Sequence, residues 1–226
     1  MLLEENQIHF PSCENNTELL RTLKNKGYAS HEFPGCTTNE QEYLHYLETG
    51  EVKDKYQLFN TDALGMAFYI RQFKNPTIKA LIDYLKSDEF HETLREKFDI
   101  EKPTRIDTYI QKYLTGYEIS PHPDVRAKSL TYLMNINQPG AEDLNIHTKL
   151  LKFTPEHADQ YKFWDEHPEV DRSWVPWDWC YTVKEIRQNN ALIMFEAHNR
   201  SLHAIKLDYN HLPTQRTQLY GNLWYK

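Results

Sequence analysis

The sequence predicts an α+β fold in which a β core is buttressed by N-terminal helices. Two observations carry this. Residues before about 100 hold apolar side chains at helical spacing. After about 104 the segments become short, β-branched and aromatic, separated by turns. Asn16-Thr17 caps a first helix with Leu19, Leu20 and Leu23 on one face, ending at Gly27. Asn39 to Glu42 leads into Tyr43, Leu44, Tyr46 and Leu47, and Gly50 stops that helix. Thr61-Asp62 starts a longer helical pattern through Leu64, Met66, Ala67, Tyr69 and Ile70. Thr77 to Leu85 and Glu89 to Phe98 complete the helical part. The strands expected next are Arg105–Tyr113, Tyr117–Ile119, Ser129–Asn137, Ile146–Phe153, Trp179–Val183, Ala191–Glu196, Leu202–Tyr209 and Arg216–Tyr225. About eight strands fit a double-sheet jelly roll, also called a double-stranded β-helix. Ile100–Pro103 carries no Gly/Ser linker, so residues 1–226 read as one domain. In it, 1–103 are mainly helical support and 104–226 are the core.

Composition removes several function classes. A chain of 226 residues can bury a core without disulfide staples. The net charge of −7 and the pI near 5.9 argue against a nucleic-acid or membrane-surface binder. Mean hydropathy is −0.77, and no apolar run approaches the roughly 20 residues of a spanning helix. The opening MLLEENQIHF has acids where a signal peptide has bases. Cys13, Cys36 and Cys180 are odd in number and far apart, which excludes a disulfide scaffold or thiolate zinc site and suits a reducing cytoplasm.

Histidine next to acid is the informative pattern. With 11 His and 33 acids in 226 residues, chance gives roughly 1.6 His-x-acid triplets (11 × 33/226). The chain has three: His122-Pro123-Asp124, His157-Ala158-Asp159 and His167-Pro168-Glu169. The second and third sit in polar, irregular stretches and read as loop residues. Only the first lies between two convincing strands. Residues i and i+2 of a strand share a face, so His122 and Asp124 can reach one ion. Their flanking prolines place them at a strand end or edge. A third ligand is expected from a later strand, and His203, Ile205 and Leu207 alternate onto one face of Leu202–Tyr209. His203 then points inward, whereas the rivals His198 and His211 sit in turn-like surroundings. Two imidazoles and one carboxylate form a facial triad with open positions, suited to non-haem Fe(II). Arg216 follows 13 residues after His203 and opens the last strand. Its fork suits a carboxylate.

Tyr113-Leu114-Thr115-Gly116-Tyr117, then His122-x-Asp124, then Ser129-Leu130-Thr131-Tyr132-Leu133-Met134-Asn135-Ile136-Asn137 resembles the 2-oxoglutarate- and Fe(II)-dependent oxygenases, most closely the prolyl-hydroxylase-like branch. Ser201-Leu202-His203-Ala204 resembles the family's distal histidine strand. The likeness spans about Ile106 to Tyr225. One departure is Pro139-Gly140-Ala141, where the family has a Gly-Gly pair. The resemblance implies Fe(II) held by His122, Asp124 and His203, with 2-oxoglutarate as co-substrate. It also implies that Arg216, helped by Tyr113, takes the far carboxylate of 2-oxoglutarate. The partners it implies are O₂ and an organic substrate of unidentified class, hydroxylated with release of succinate and CO₂.

Two other readings compete. One is a cupin-type metalloenzyme that does not use 2-oxoglutarate. The other is a non-catalytic jelly-roll module binding carbohydrate on Trp164, Trp174, Trp177 and Trp179. Those tryptophans read first as core or loop anchors, and in the oxygenase reading a lid over the iron is the second expectation.

Overall fold

The computed structural model describes residues 8–30, 40–51, 56–58 and 61–226. The first half contains α1 (Asn16–Asn25), β1 (Ala29–Ser30), α2 (Glu40–Thr49), β2 (Tyr56–Leu58), β3 (Thr61–Leu64), β4 (Ala67–Ile70), α3 (Pro76–Leu85) and α4 (Asp88–Lys97). The second half contains β5 (Thr104–Tyr113), β6 (Glu118–His122), β7 (Lys128–Asn135), β8 (Thr148–Phe153), α5 (Gln160–Glu166), β9 (Cys180–Ile186), β10 (Leu192–Glu196), β11 (His203–Lys206) and β12 (Arg216–Tyr225). No helix among the described residues is long and apolar enough to cross a membrane. Cys13 and Cys180 are free thiols, and Cys36 lies outside the described residues.

Two antiparallel six-stranded sheets organise the chain. One runs β1-β4-β5-β12-β7-β10 and the other β2-β3-β6-β11-β8-β9. From β5 onward, successive strands cross from one sheet to the other, except at β8–β9. All eight strands expected in the second half form, with shifted ends, and β12 has the expected bounds.

The helix expected from Thr61 to Ile70 does not form. Its place is taken by β3 and β4, which turn at Gly65 with φ +90°. A Cβ there would stand 2.5 Å from the Gly116 carbonyl oxygen, so backbone contact and handedness both demand glycine. Three of the four residues of β4 are buried, and such a continuous apolar run carries no strand alternation to read. β4 pairs with β5, aligning Ala67 with Tyr113, and β3 pairs with β6, aligning Ala63 with Ile119. The first half therefore widens both sheets as well as supplying helices.

The remaining helices follow their sequence signals. Asn15, one residue earlier than expected, caps α1 by accepting from the Glu18 amide at 2.9 Å. Asn75 caps α3 with Pro76 in its first turn, and Ser87 caps α4. Leu19 and Leu23 of α1, Ile82 of α3 and Leu94 of α4 join one core with Ile110, Leu130, Leu219 and Leu223 from β5, β7 and β12. The helices thus cover one face of the first sheet and leave its other face for the cavity described below.

Lys112 of β5 is buried on the helix-covered side. Its Nζ donates to Thr217 Oγ1 at 2.7 Å and lies 4.8 Å from the Phe10 ring centre, with no carboxylate paired to it among the described residues. Burial lowers its ammonium from 10.5 to about 7. The unfolded chain keeps that proton up to about 10.5, so between pH 7 and 10.5 it binds more protons and stability rises with pH. Lys112→Met should therefore stabilise the protein at pH 7 by about 2 kcal/mol, or roughly 4–8 °C in Tm. Thermal melts across this range should show the gain shrinking towards pH 10.5. A variant that melts lower at pH 7 would mean that the ammonium is stabilising where it sits.

Candidate metal and anion site

The cavity lies between the sheets, with a volume of about 150 Å³. Its floor is built by strand alternation. Arg216, Gln218, Tyr220, Asn222 and Trp224 of β12 all line it, as do Tyr113, Gln111, Tyr109 and Asp107 of β5. The β5–β12 register pairs Arg216 with Tyr113, Gln218 with Gln111, Tyr220 with Tyr109 and Asn222 with Asp107. Each rung therefore presents two polar or aromatic side chains to the cavity. The facing sheet contributes His122 of β6, His203 and Ile205 of β11 and Thr148 of β8.

His122, Asp124 and His203 come together here, with one ligand atom from each lying within 4.8 Å of the others. His122 and His203 are directly opposed across β6 and β11, and their ring centres are 4.4 Å apart. His203 and Ile205 both line the cavity, as the expected alternation requires, with Ala204 also on its wall and a register shift against β6 between His203 and Ile205. Pro121 lies inside β6, but β3 pairs only with Glu118 and Ile119, so its missing N–H leaves that pairing intact.

Both imidazoles are preset for an ion. His122 Nδ1 bonds the Ser120 carbonyl at 2.8 Å, and His203 Nδ1 bonds the Ser201 carbonyl at 3.0 Å. A carbonyl only accepts, so each Nδ1 carries the proton and each Nε2 keeps its lone pair. Burial, then the neighbouring His203, pushes His122 down to about 3, and burial lowers His203. Both rings are therefore neutral at pH 7, as a metal ligand requires. Asp124 accepts from Lys128 Nζ at Oδ1 and from Thr131 Oγ1 at Oδ2, both at 2.6 Å. Burial alone would raise its carboxyl, but the Lys128 charge, the two imidazoles and the Lys128 hydrogen bond together outweigh that and hold it below the usual range. Two neutral nitrogens and one ionised carboxylate fit a divalent cation such as Fe(II).

Arg216 occupies the other end and is 1% exposed. Its Nη2 donates to Thr148 Oγ1 at 2.8 Å, and its guanidinium carbon lies 4.4 Å from the Tyr113 ring centre. Its Nε has no hydrogen-bond partner, and the groups acting on its charge are Tyr113, Tyr117 and Tyr209 rather than a carboxylate. The Tyr113 hydroxyl reaches Gln111 Oε1 and, at 3.5 Å, Gln218 Oε1. A buried cation facing a cavity without a counter-ion is built to receive an anion.

The other sequence candidates lie elsewhere. His157 stacks on Trp179, with ring centres 4.5 Å apart, and His167 bonds Glu169 at an exposed position. His211 is tied to Asn16 Oδ1 and to the Thr115 amide. His198 bonds the Arg200 amide within its turn.

Of the two expectations for the tryptophans, core anchoring is what the structure shows for Trp164, Trp177 and Trp179. None of Trp164, Trp174, Trp177 and Trp179 lines the cavity. Trp164 is 1% exposed in a separate core with Leu151, Val175 and Leu202, against which Trp177 and Trp179 pack. Trp177 Nε1 also donates to Glu118 Oε1 at 2.8 Å. The tryptophan in the cavity is Trp224, which sequence reasoning passed over, along with Lys128, Asp107 and Thr148. The period-2 pattern of β12 beginning at Arg216 is the signal that could have found Trp224.

No family model and no curated protein matches the sequence. Among solved structures, the chain is similar to a Pseudomonas putida prolyl-4-hydroxylase, with 9% identity and a TM-score of 0.45, covering 88% of this chain and 93% of that one. It is also similar to HygX from Streptomyces hygroscopicus, solved with nickel, 2-oxoglutarate and hygromycin B bound. That match has 12% identity and a TM-score of 0.34, covering 92% of this chain and 87% of the other.

Proposed function

We propose that this chain is a 2-oxoglutarate- and Fe(II)-dependent oxygenase that hydroxylates an organic substrate, releasing succinate and CO₂. The single observation that carries the reading is the buried, carboxylate-free Arg216 in the same cavity as His122, Asp124 and His203. A metal site alone needs no such cation, and a carbohydrate module needs neither. In this reading β5 to β12 are a double-stranded β-helix. The pairing orders β5-β12-β7-β10 and β6-β11-β8-β9 support it. The whole chain is read as one domain, because strands and helices of the first half complete the sheets and core of the second.

The roles follow from the chemistry of each side chain. His122, Asp124 and His203 would hold Fe(II), which supplies the O₂ chemistry that couples decarboxylation of 2-oxoglutarate to hydroxylation. Arg216 binds the far carboxylate of the co-substrate, with Thr148 and the Tyr113 ring fixing the plane of its guanidinium. Leu133, Ile119, Ile205 and Phe195 are apolar parts of the cavity wall and limit water around the reacting atoms. Thr131 and Lys128 orient the Asp124 carboxylate from behind.

The test is turnover. Purified protein given Fe(II), ascorbate, O₂ and 2-oxoglutarate should form succinate, and His203→Ala should not. Even without its substrate, slow uncoupled turnover is expected. Succinate formed equally by the wild type and by His203→Ala would sink the proposal.

A further inference from the structure

The cavity holds a second buried cation, Lys128, which the binding of 2-oxoglutarate does not use. Its side chain is 7% exposed. Nζ donates to Asp124 Oδ1 at 2.6 Å and to the Tyr220 hydroxyl at 3.3 Å, and stands 5.1 Å from the Trp224 ring centre. An ammonium has three N–H donors, so one remains after these two bonds. Arg216 and Tyr220 are four residues apart on β12, about 13 Å along the strand. The two cations therefore mark different ends of the cavity.

The wall beside Lys128 is aromatic and fixed. Asp107 Oδ2 accepts from Trp224 Nε1 at 2.7 Å and from the Tyr109 hydroxyl at 2.9 Å. Its Oδ1 accepts from the Asn222 amide at 3.0 Å and from Asn222 Nδ2 at 2.9 Å. All four acceptor positions of Asp107 are thus filled, and its work is to pin Trp224, Tyr109 and Asn222. Lys128 is left as the charged group with a donor to offer a ligand. Once Asp124 shares its charge with a divalent ion, the ammonium also needs a new counter-ion.

We infer that the substrate is a small organic acid, whose free carboxylate pairs with Lys128 while its apolar body lies against Trp224 and Tyr220. This rests on the oxygenase reading and narrows it, because a neutral sugar and an internal peptide residue other than Asp or Glu both lack the carboxylate. A single spare N–H suits one carboxylate better than a phosphate, which brings more charge than one donor can match.

The test uses full-length protein loaded with Mn(II) and saturated with 2-oxoglutarate. Paramagnetic broadening of ligand proton resonances reports binding next to the ion. Benzoate, 3-phenylpropanoate and hexanoate are each compared with the corresponding amide. At least one acid should bind about 10–100-fold more tightly than its amide, the range for a hydrogen bond to a charged group. Lys128→Met, compared at the Mn(II) and 2-oxoglutarate concentrations that saturate the variant itself, should erase that preference, and Lys128→Arg should restore most of it. No acid outperforming its amide on the wild type overturns the inference, and that arm does not depend on any variant folding. An acid preference that survives in Lys128→Met also overturns it. Failure of 2-oxoglutarate to broaden is a separate result that counts against the oxygenase reading alone.

Discussion

His122→Ala and His203→Ala should each lose more than about 100-fold in affinity for Fe(II), or for Mn(II), Co(II) or Ni(II) as inert substitutes. Removing even an outer partner of a metal ligand costs about 10–100-fold, and these variants remove the ligand itself. With two donors left, the ion would lose a third of the protein shell that an open three-ligand site provides. Isothermal titration with Mn(II) measures this. His157→Ala and His167→Ala are the controls, because one ring stacks on Trp179 and the other sits exposed beside Glu169. They should bind metal like the wild type. If the controls lose metal and the first pair keeps it, the ion sits elsewhere. The histidine variants are a cleaner test than Asp124→Ala. Asp124 is the buried counter-ion of Lys128, and breaking such a pair costs about 3–5 kcal/mol of stability.

Arg216→Ala should weaken 2-oxoglutarate binding by roughly 10²–10³-fold. A buried guanidinium–carboxylate pair carries two parallel charge-assisted bonds, and breaking it costs about 3–5 kcal/mol, at about 1.4 kcal/mol per decade. Metal affinity should hardly change, because Arg216 lies at the other end of the cavity floor. Arg216→Lys should fall between the two, keeping the charge and losing the fork. Equilibrium dialysis of labelled 2-oxoglutarate against the Mn(II)-loaded variants gives all three constants. Arg216→Ala binding with an unchanged constant would remove Arg216 from the site.

Local rules made much of the architecture readable. Asn16-Thr17 announced a helix start one residue from the actual cap, and the ten residues from Arg216 to Tyr225 declared a strand by their own composition and alternation. His122 and Asp124 were legible because they are two residues apart at a strand end, with His122 the last residue of β6 and Asp124 just beyond it. His203 was legible because an inward histidine stood on an otherwise apolar strand face. The misreading at Thr61–Ile70 has a physical cause. Leu64, Met66, Ala67, Tyr69 and Ile70 satisfy helical spacing, and only the positive φ of Gly65 decides against it.

The aromatic end of the cavity was illegible for a different reason. Asp107 and Trp224 are 117 residues apart, and they meet only because β5 and β12 are neighbours in the sheet. Lys128 is a charged residue at a strand start, and nothing local says that it turns inward to Asp124. At 164–179 the core expectation was the sound one, because a cluster of large aromatics buries much apolar area. Here it fills a small core behind β8, against Leu151 and Leu202.

The central claim is that one cavity holds a metal ion through His122, Asp124 and His203 and holds 2-oxoglutarate through Arg216. Anaerobic titration of the Fe(II)-loaded protein with 2-oxoglutarate tests it most directly. A visible metal-to-ligand absorption band should grow in and saturate at one equivalent of 2-oxoglutarate per iron. Iron that stays bound while no band develops would contradict the claim and leave a metal enzyme that does not use 2-oxoglutarate.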